Sequence, residues 1–186
     1  MPARFSKPAF LASFSVAVLV LSPAVAGAQT TVLLPDTSQT TLLTATVSEQ
    51  ARVSVPASVT FTVADVSNST TANAAALTID RIVLATATKQ FRISVQAGAA
   101  SFTPPVAGAT TWTAGDVSWN AATWTRATGA SGILSASAFT QVATCDADAG
   151  DCLTTNLVFT LGAKSSVKRA GSHMLTVTWK VESIGS

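Results

Sequence analysis

The chain predicts an all-β protein, a single-domain antiparallel β-sandwich of immunoglobulin-like or jelly-roll topology. Three observations carry that prediction. Thr supplies 28 of the residues beyond position 28, and Val is also abundant; both are β-branched and fit the pleated surface of a strand. Apolar and polar residues alternate with period two at three places. Clusters of Gly, Pro, Asn, Asp and Ser recur at intervals of about 8 to 12 residues, with no amphipathic helical stretch between them.

The elements follow in order. Residues 1–28 open with Arg4 and Lys7, continue in an apolar run over 9–21 and end in Ala26-Gly27-Ala28. That is the pattern of a signal peptide cleaved after Ala28. Its apolar run is shorter than the roughly 20 residues needed to span a bilayer. The expected location is therefore outside the cell, in a periplasm or on the cell surface, with no membrane span after cleavage. Residues 29–43 are read as an extended arm or first edge strand, with Val32, Leu33, Leu34, Leu42 and Leu43 as its apolar side chains. Residues 44–186 form the sandwich.

Strands are expected at 42–47, 51–55, 59–63, 77–85, 91–96, 133–139, 156–161 and 173–182. Three carry clear alternation. Val59, Phe61 and Val63 alternate with Thr60 and Thr62, and Phe91, Ile93 and Val95 with Arg92, Ser94 and Gln96. In the last, Leu175, Val177, Trp179 and Val181 alternate with Thr176, Thr178, Lys180 and Glu182. One face of that strand should pack, with Trp179 in the core, and the other should be wet.

Charge and composition narrow the function. Hydrophobic residues make up 48% of the chain, too many for a disordered segment. Of the 11 basic residues, Arg4 and Lys7 fall in the first 28, which leaves nine facing nine acids. Such a balance argues against nucleic acid or an anionic membrane as partner. His173 is the one imidazole, Glu49 and Glu182 are the two glutamates, and neither a G-x-S-x-G elbow nor a phosphate-binding glycine loop occurs. The chain is therefore expected to be no enzyme and to carry no cofactor.

Three groups of residues stand out. Cys145 and Cys152 read as a local disulfide, as exported proteins favour. The loop between them carries Asp146, Asp148 and Asp151 around Gly150. Hard oxygen ligands at alternating loop positions suit Ca2+, and the same residues also suit a plain acidic turn. Trp112, Trp119 and Trp124 lie close in sequence to Asp116 and Asn120. Aromatic faces beside carboxylate and amide groups suit stacking on sugar rings, the mark of a carbohydrate-binding module; the alternative is that they fill the core.

The ending Ala170-Gly171-Ser172-His173-Met174-Leu175-Thr176-Val177-Thr178-Trp179-Lys180-Val181, preceded by Leu157-Val158-Phe159-Thr160-Leu161, resembles the closing strand of small exported β-sandwich surface proteins of the spore coat U and fimbrial-subunit type and of WxL-type surface domains. The resemblance spans roughly the last 30 residues. It implies a structural or adhesive surface protein, and partners that are further copies of itself or other envelope proteins. It also implies a mechanism, in which 29–43 is donated as a strand to a neighbouring subunit.

Overall fold

The computed structural model describes residues 31–35 and 39–186; the signal peptide expected at 1–28 lies outside the described residues. The chain divides into two units, Met1–Thr44 and Ala45–Ser186. In the first, the described residues form neither helix nor strand. Leu33, Leu34, Leu42 and Leu43 are 93%, 88%, 90% and 88% exposed. The strand expected at 42–47 is therefore absent. With its leucines uncovered, no apolar burial offsets the entropy of fixing the backbone there.

The second unit is all-β, with three antiparallel sheets and one 3-10 turn among its described residues. Its strands are β1 (Gln50–Ser54), β2 (Thr70–Thr71), β3 (Ala75–Val83), β4 (Gln90–Ala97), β5 (Val117–Trp119) and β6 (Ala127–Gly129), followed by β7 (Gly132–Ile133), β8 (Thr140–Cys145), β9 (Cys152–Leu157), β10 (Phe159–Leu161) and β11 (Val177–Ile184). The 3-10 turn, Ala114–Asp116, leads into β5. One sheet has the order β1-β3-β9, a second β2-β10-β5-β7 and a third β11-β4-β8-β6. All three contribute to one core: Leu77, Ile79 and Leu157 from the first, Trp119, Phe159 and Leu161 from the second, Ile93, Val95 and Val142 from the third.

Most of the expected strands form, with shifted ends. The 91–96 alternation is β4, whose Phe91, Ile93 and Val95 are buried. Residues 77–83 of the expected 77–85 fall in β3, and 156–161 straddles β9 and β10, which meet at Val158. The 133–139 expectation is a correction, because the ladder there starts at Thr140 and Ile133 belongs to the two-residue β7.

Residues 59–63 give a more instructive correction. Val59, Phe61 and Val63 do turn inward and pack against the core, with Thr60 and Thr62 outward. Yet this stretch joins no ladder and is not a strand. The cause lies just before it. β1 pairs with β3 as far as Ser54 opposite Thr78; two residues on stands Pro56, which has no N–H to give. The two chains splay apart beyond it, and a cleft of about 390 Å3 opens between 56–60 and 73–76.

The last strand also differs. β11 starts at Val177 rather than at His173 and lies at the edge of its sheet. Trp179 is half-buried rather than in the core, and Val177 and Val181 are 38% and 39% exposed.

Candidate functional site

The disulfide forms as the sequence predicts. Cys145 ends β8 and Cys152 begins β9, so the bond ties the third sheet to the first. Both residues are fully buried. The intervening loop is fixed by its backbone: Ala149 N–H donates to Asp146 O at 3.2 Å, Asp148 N–H to Lys89 O at 3.3 Å, and Gly150 O accepts from Ile82 N–H at 3.1 Å. Asp148 sits at φ 54°, a left-handed conformation that Asp tolerates.

Of the two readings of this loop, its geometry agrees with the acidic turn. Asp146 and Asp148 are exposed, and Asp151 turns to Arg126, whose Nη1 lies 3.2 Å from its Oδ1. Among the described residues no three carboxylates, imidazoles or thiols gather as they would around a metal ion. The loop is an acidic turn built on backbone hydrogen bonds.

Of the two readings of the tryptophans, Trp112 and Trp119 agree with the core. Trp112 and Trp119 are 5% and 3% exposed. Trp112 Nε1 donates to Gly162 O and Trp119 Nε1 to Ala130 O, each at 2.9 Å, and Trp119 packs at a tilt on Phe159. A buried indole needs such an acceptor. Neither ring leaves a face for a sugar to stack on. Trp124 is half-buried; its Nε1 is shielded from solvent and has no acceptor among the described residues.

Their polar neighbours hold the fold together. The Asp116 carboxylate accepts the Thr113 backbone N–H at 2.7 Å and the Thr113 hydroxyl at 2.9 Å, and receives Lys164 Nζ at 2.7 Å. Burial pushes the Asp116 carboxyl up, but the hydrogen bonds from Lys164 and Thr113 outweigh it and hold the group below its ordinary value. Asn120 spends its amide on the bend between β9 and β10, donating to Asn156 O at 3.0 Å and accepting from Val158 N–H at 2.8 Å. His173 is likewise engaged. Its Nε2 lies 3.1 Å from Arg169 O, which can only accept, so the neutral ring carries its proton there and Nδ1 accepts from the Thr111 hydroxyl at 2.7 Å. The ring stands edge-on to Trp112.

One cluster was not visible in the sequence. Glu49, just before β1, accepts from Lys89 Nζ at 2.9 Å, from Ala85 N–H at 2.8 Å and from the Ser183 hydroxyl at 2.9 Å. The Lys89 hydrogen bond, followed by those of Ala85 and Ser183, lowers its carboxyl to about 2. Spacings of 36, 40 and 134 residues leave no local signal of such a group.

Compared with protein-family models, with curated proteins and with solved structures, the chain gives no match. Its functional reading therefore rests on its own residues. Trp112, Trp119, Asp116 and Asn120 form structural joints, and the features left over are surfaces: an arm with exposed leucines, the cleft where β1 and β3 part, and the open edge of β11.

Proposed function

We propose that this protein is an exported, non-catalytic structural or adhesive protein of the cell surface, assembled from like subunits through its N-terminal arm. The observation that carries the reading is the arm itself. Leu33, Leu34, Leu42 and Leu43 lie exposed on a segment whose described residues form no strand, and uncovered apolar side chains suit addition to another molecule's sheet. The cleft between 56–60 and 73–76 is a fitting acceptor. It opens where β3 runs on without β1 beside it, so an incoming strand finds main-chain groups to pair with.

The test is light scattering coupled to size-exclusion chromatography on residues 29–186 and on the same chain lacking 29–43. Oligomers that disappear with the arm support the reading. A monomer in both forms, or oligomers indifferent to the deletion, overturns arm-mediated assembly.

A further inference from the structure

β11 is a long, regular edge strand with an apolar face. It pairs with β4 without a break from Val177 opposite Ala97 to Ile184 opposite Gln90, and among the described residues its other side has no neighbouring strand in the sheet. Native edges are usually short, bulged, interrupted by Pro or studded with charge; of these β11 has only the charges of Lys180 and Glu182, which lie on the face opposite Val177, Trp179 and Val181. β11 is eight residues long, in regular register, and contains no Pro.

Its side chains add a second feature. Residues directly opposite one another in a ladder share a face. Val177, Trp179 and Val181 therefore lie on the same face as Ala97, Val95 and Ile93, which are 4%, 0% and 0% exposed. One strand further out, Val177 and Val181 are 38% and 39% exposed and Trp179 is only half-buried. The layer that covers β4 stops short of β11. An apolar shelf therefore runs along an unpaired backbone edge.

The pattern of that shelf identifies its occupant. Val177-Thr178-Trp179-Lys180-Val181 reads apolar, polar, Trp, polar, apolar, the same in both directions about Trp179. An interface on a two-fold axis must be complementary to itself. The geometry points to β11 of a second copy, antiparallel across an axis at Trp179, which joins the two four-stranded sheets into one of eight. Trp179 then meets Trp179 of the second copy, and each Val177 meets the other's Val181. Lys180 faces Thr178 rather than its own counterpart, whereas an axis at Lys180 would set two ammonium groups opposite each other. Lys180 is also already neutralised within its own chain by Glu182, 2.6 Å away. The equal numbers of acids and bases beyond residue 28 put little long-range repulsion between copies. Two strands and six apolar side chains make a small interface, at the weak, transient end of the size range, so the dimer is a reversible one.

This contact does not depend on the arm and is distinguishable from arm-mediated assembly. A two-fold contact closes at two copies, whereas a donated arm passes from one subunit to the next. The experiment uses residues 29–186 in four forms: unchanged, Val181→Lys, Val177→Glu, and the double variant. Both positions are more than a third exposed, and circular dichroism and melting temperature check that each variant folds. Sedimentation velocity across a concentration series reads the association. Each single variant sets a charge against an apolar partner across the axis and should weaken the dimer about tenfold or more. In the double variant the carboxylate introduced at position 177 faces the ammonium introduced at position 181 of the other copy, and the dimer should return to within a few-fold of the unchanged chain. The two substituted positions lie too far apart within one chain to contact each other, so this rescue reports the proposed register. The proposal is overturned if the unchanged chain shows no dimer step, if a folded single variant dimerises as before, or if the double variant is no better than the singles.

Discussion

Glu49 and Ser183 stand 134 positions apart in the chain and meet at 2.9 Å, the serine hydroxyl donating to Oε2. Lys89 Nζ reaches Oε1 of the same carboxylate. One acidic side chain thus gathers the approach to β1, the start of β4 and the end of β11.

The first prediction concerns acid. The Glu49 carboxyl is held at about 2, below its ordinary 4.5, so the folded form binds its proton less readily than the unfolded form does. Its contribution to stability is complete above pH 4.5 and is lost as pH falls from there towards 2. Glu49→Gln should be less stable than the parent at neutral pH, and should lose less stability over that window. Denaturant midpoints measured from about pH 7 down to about pH 2 check it; parallel curves for the two proteins would refute it.

A second prediction concerns the disulfide. Closing a loop this short stabilises by about 2 kcal/mol, so Cys145→Ala with Cys152→Ala should lower the melting temperature by about 4–8 °C. Both residues are buried in the core, and alanine, unlike serine, leaves no unsatisfied hydroxyl there. Scanning calorimetry with and without reductant checks it: reductant should move the parent and not the variant.

Two glycines give opposite expectations. A methyl group at Gly129 would run into the Ala122 carbonyl oxygen and come within 2.8 Å of Trp124 Cδ1. Gly129→Ala should cost about 1–3 kcal/mol by overpacking. At Gly150 a methyl group meets nothing within 4 Å, and its φ is not in the left-handed region. Gly150→Ala should be neutral or stabilise by up to about 1 kcal/mol through the unfolded chain. Urea unfolding of the pair checks the contrast, which fails if both behave alike.

Asp116 is predicted to act as a joint rather than a ligand. Asp116→Ala removes the acceptor of the Thr113 N–H and the partner of Lys164, at a cost of about 1–2 kcal/mol. Asp116→Asn should recover part of this. Equilibrium unfolding checks it, and a variant as stable as the parent would show that these bonds contribute nothing net.

Sequence periodicity reports burial more faithfully than pairing. Val59, Phe61 and Val63 alternate and do turn inward, yet the ladder is missing because pairing depends on a neighbour and Pro56 removes it. In β11 the failure is reversed. The ladder forms, but Val177 and Val181 stay exposed because cover comes from another layer, which one strand's pattern does not encode. The two- and three-residue strands β2, β5, β6, β7 and β10 are too short to show a period on their own. Among the candidate site residues, the cysteines were legible because a short spacing in a chain read as exported has few readings. The tryptophans were ambiguous, since a ring that suits a sugar suits a core equally well. Their acceptors, Gly162 O and Ala130 O, are backbone atoms that no composition reveals.

The bond between Cys145 and Cys152 also decides how the molecule answers tension. When the chain is pulled from both sides of the all-β unit, the load meets β1 and β11 first, which among the described residues are both outermost strands with one neighbour each. Under pull they peel first, one ladder bond after another, while β8 and β9 stay linked across two sheets. The six residues inside the ring add no length to the extended chain, which withholds roughly 20 Å at about 3.4 Å per residue. The protein therefore yields from its margins inward, and the seam between its first and third sheets gives way last.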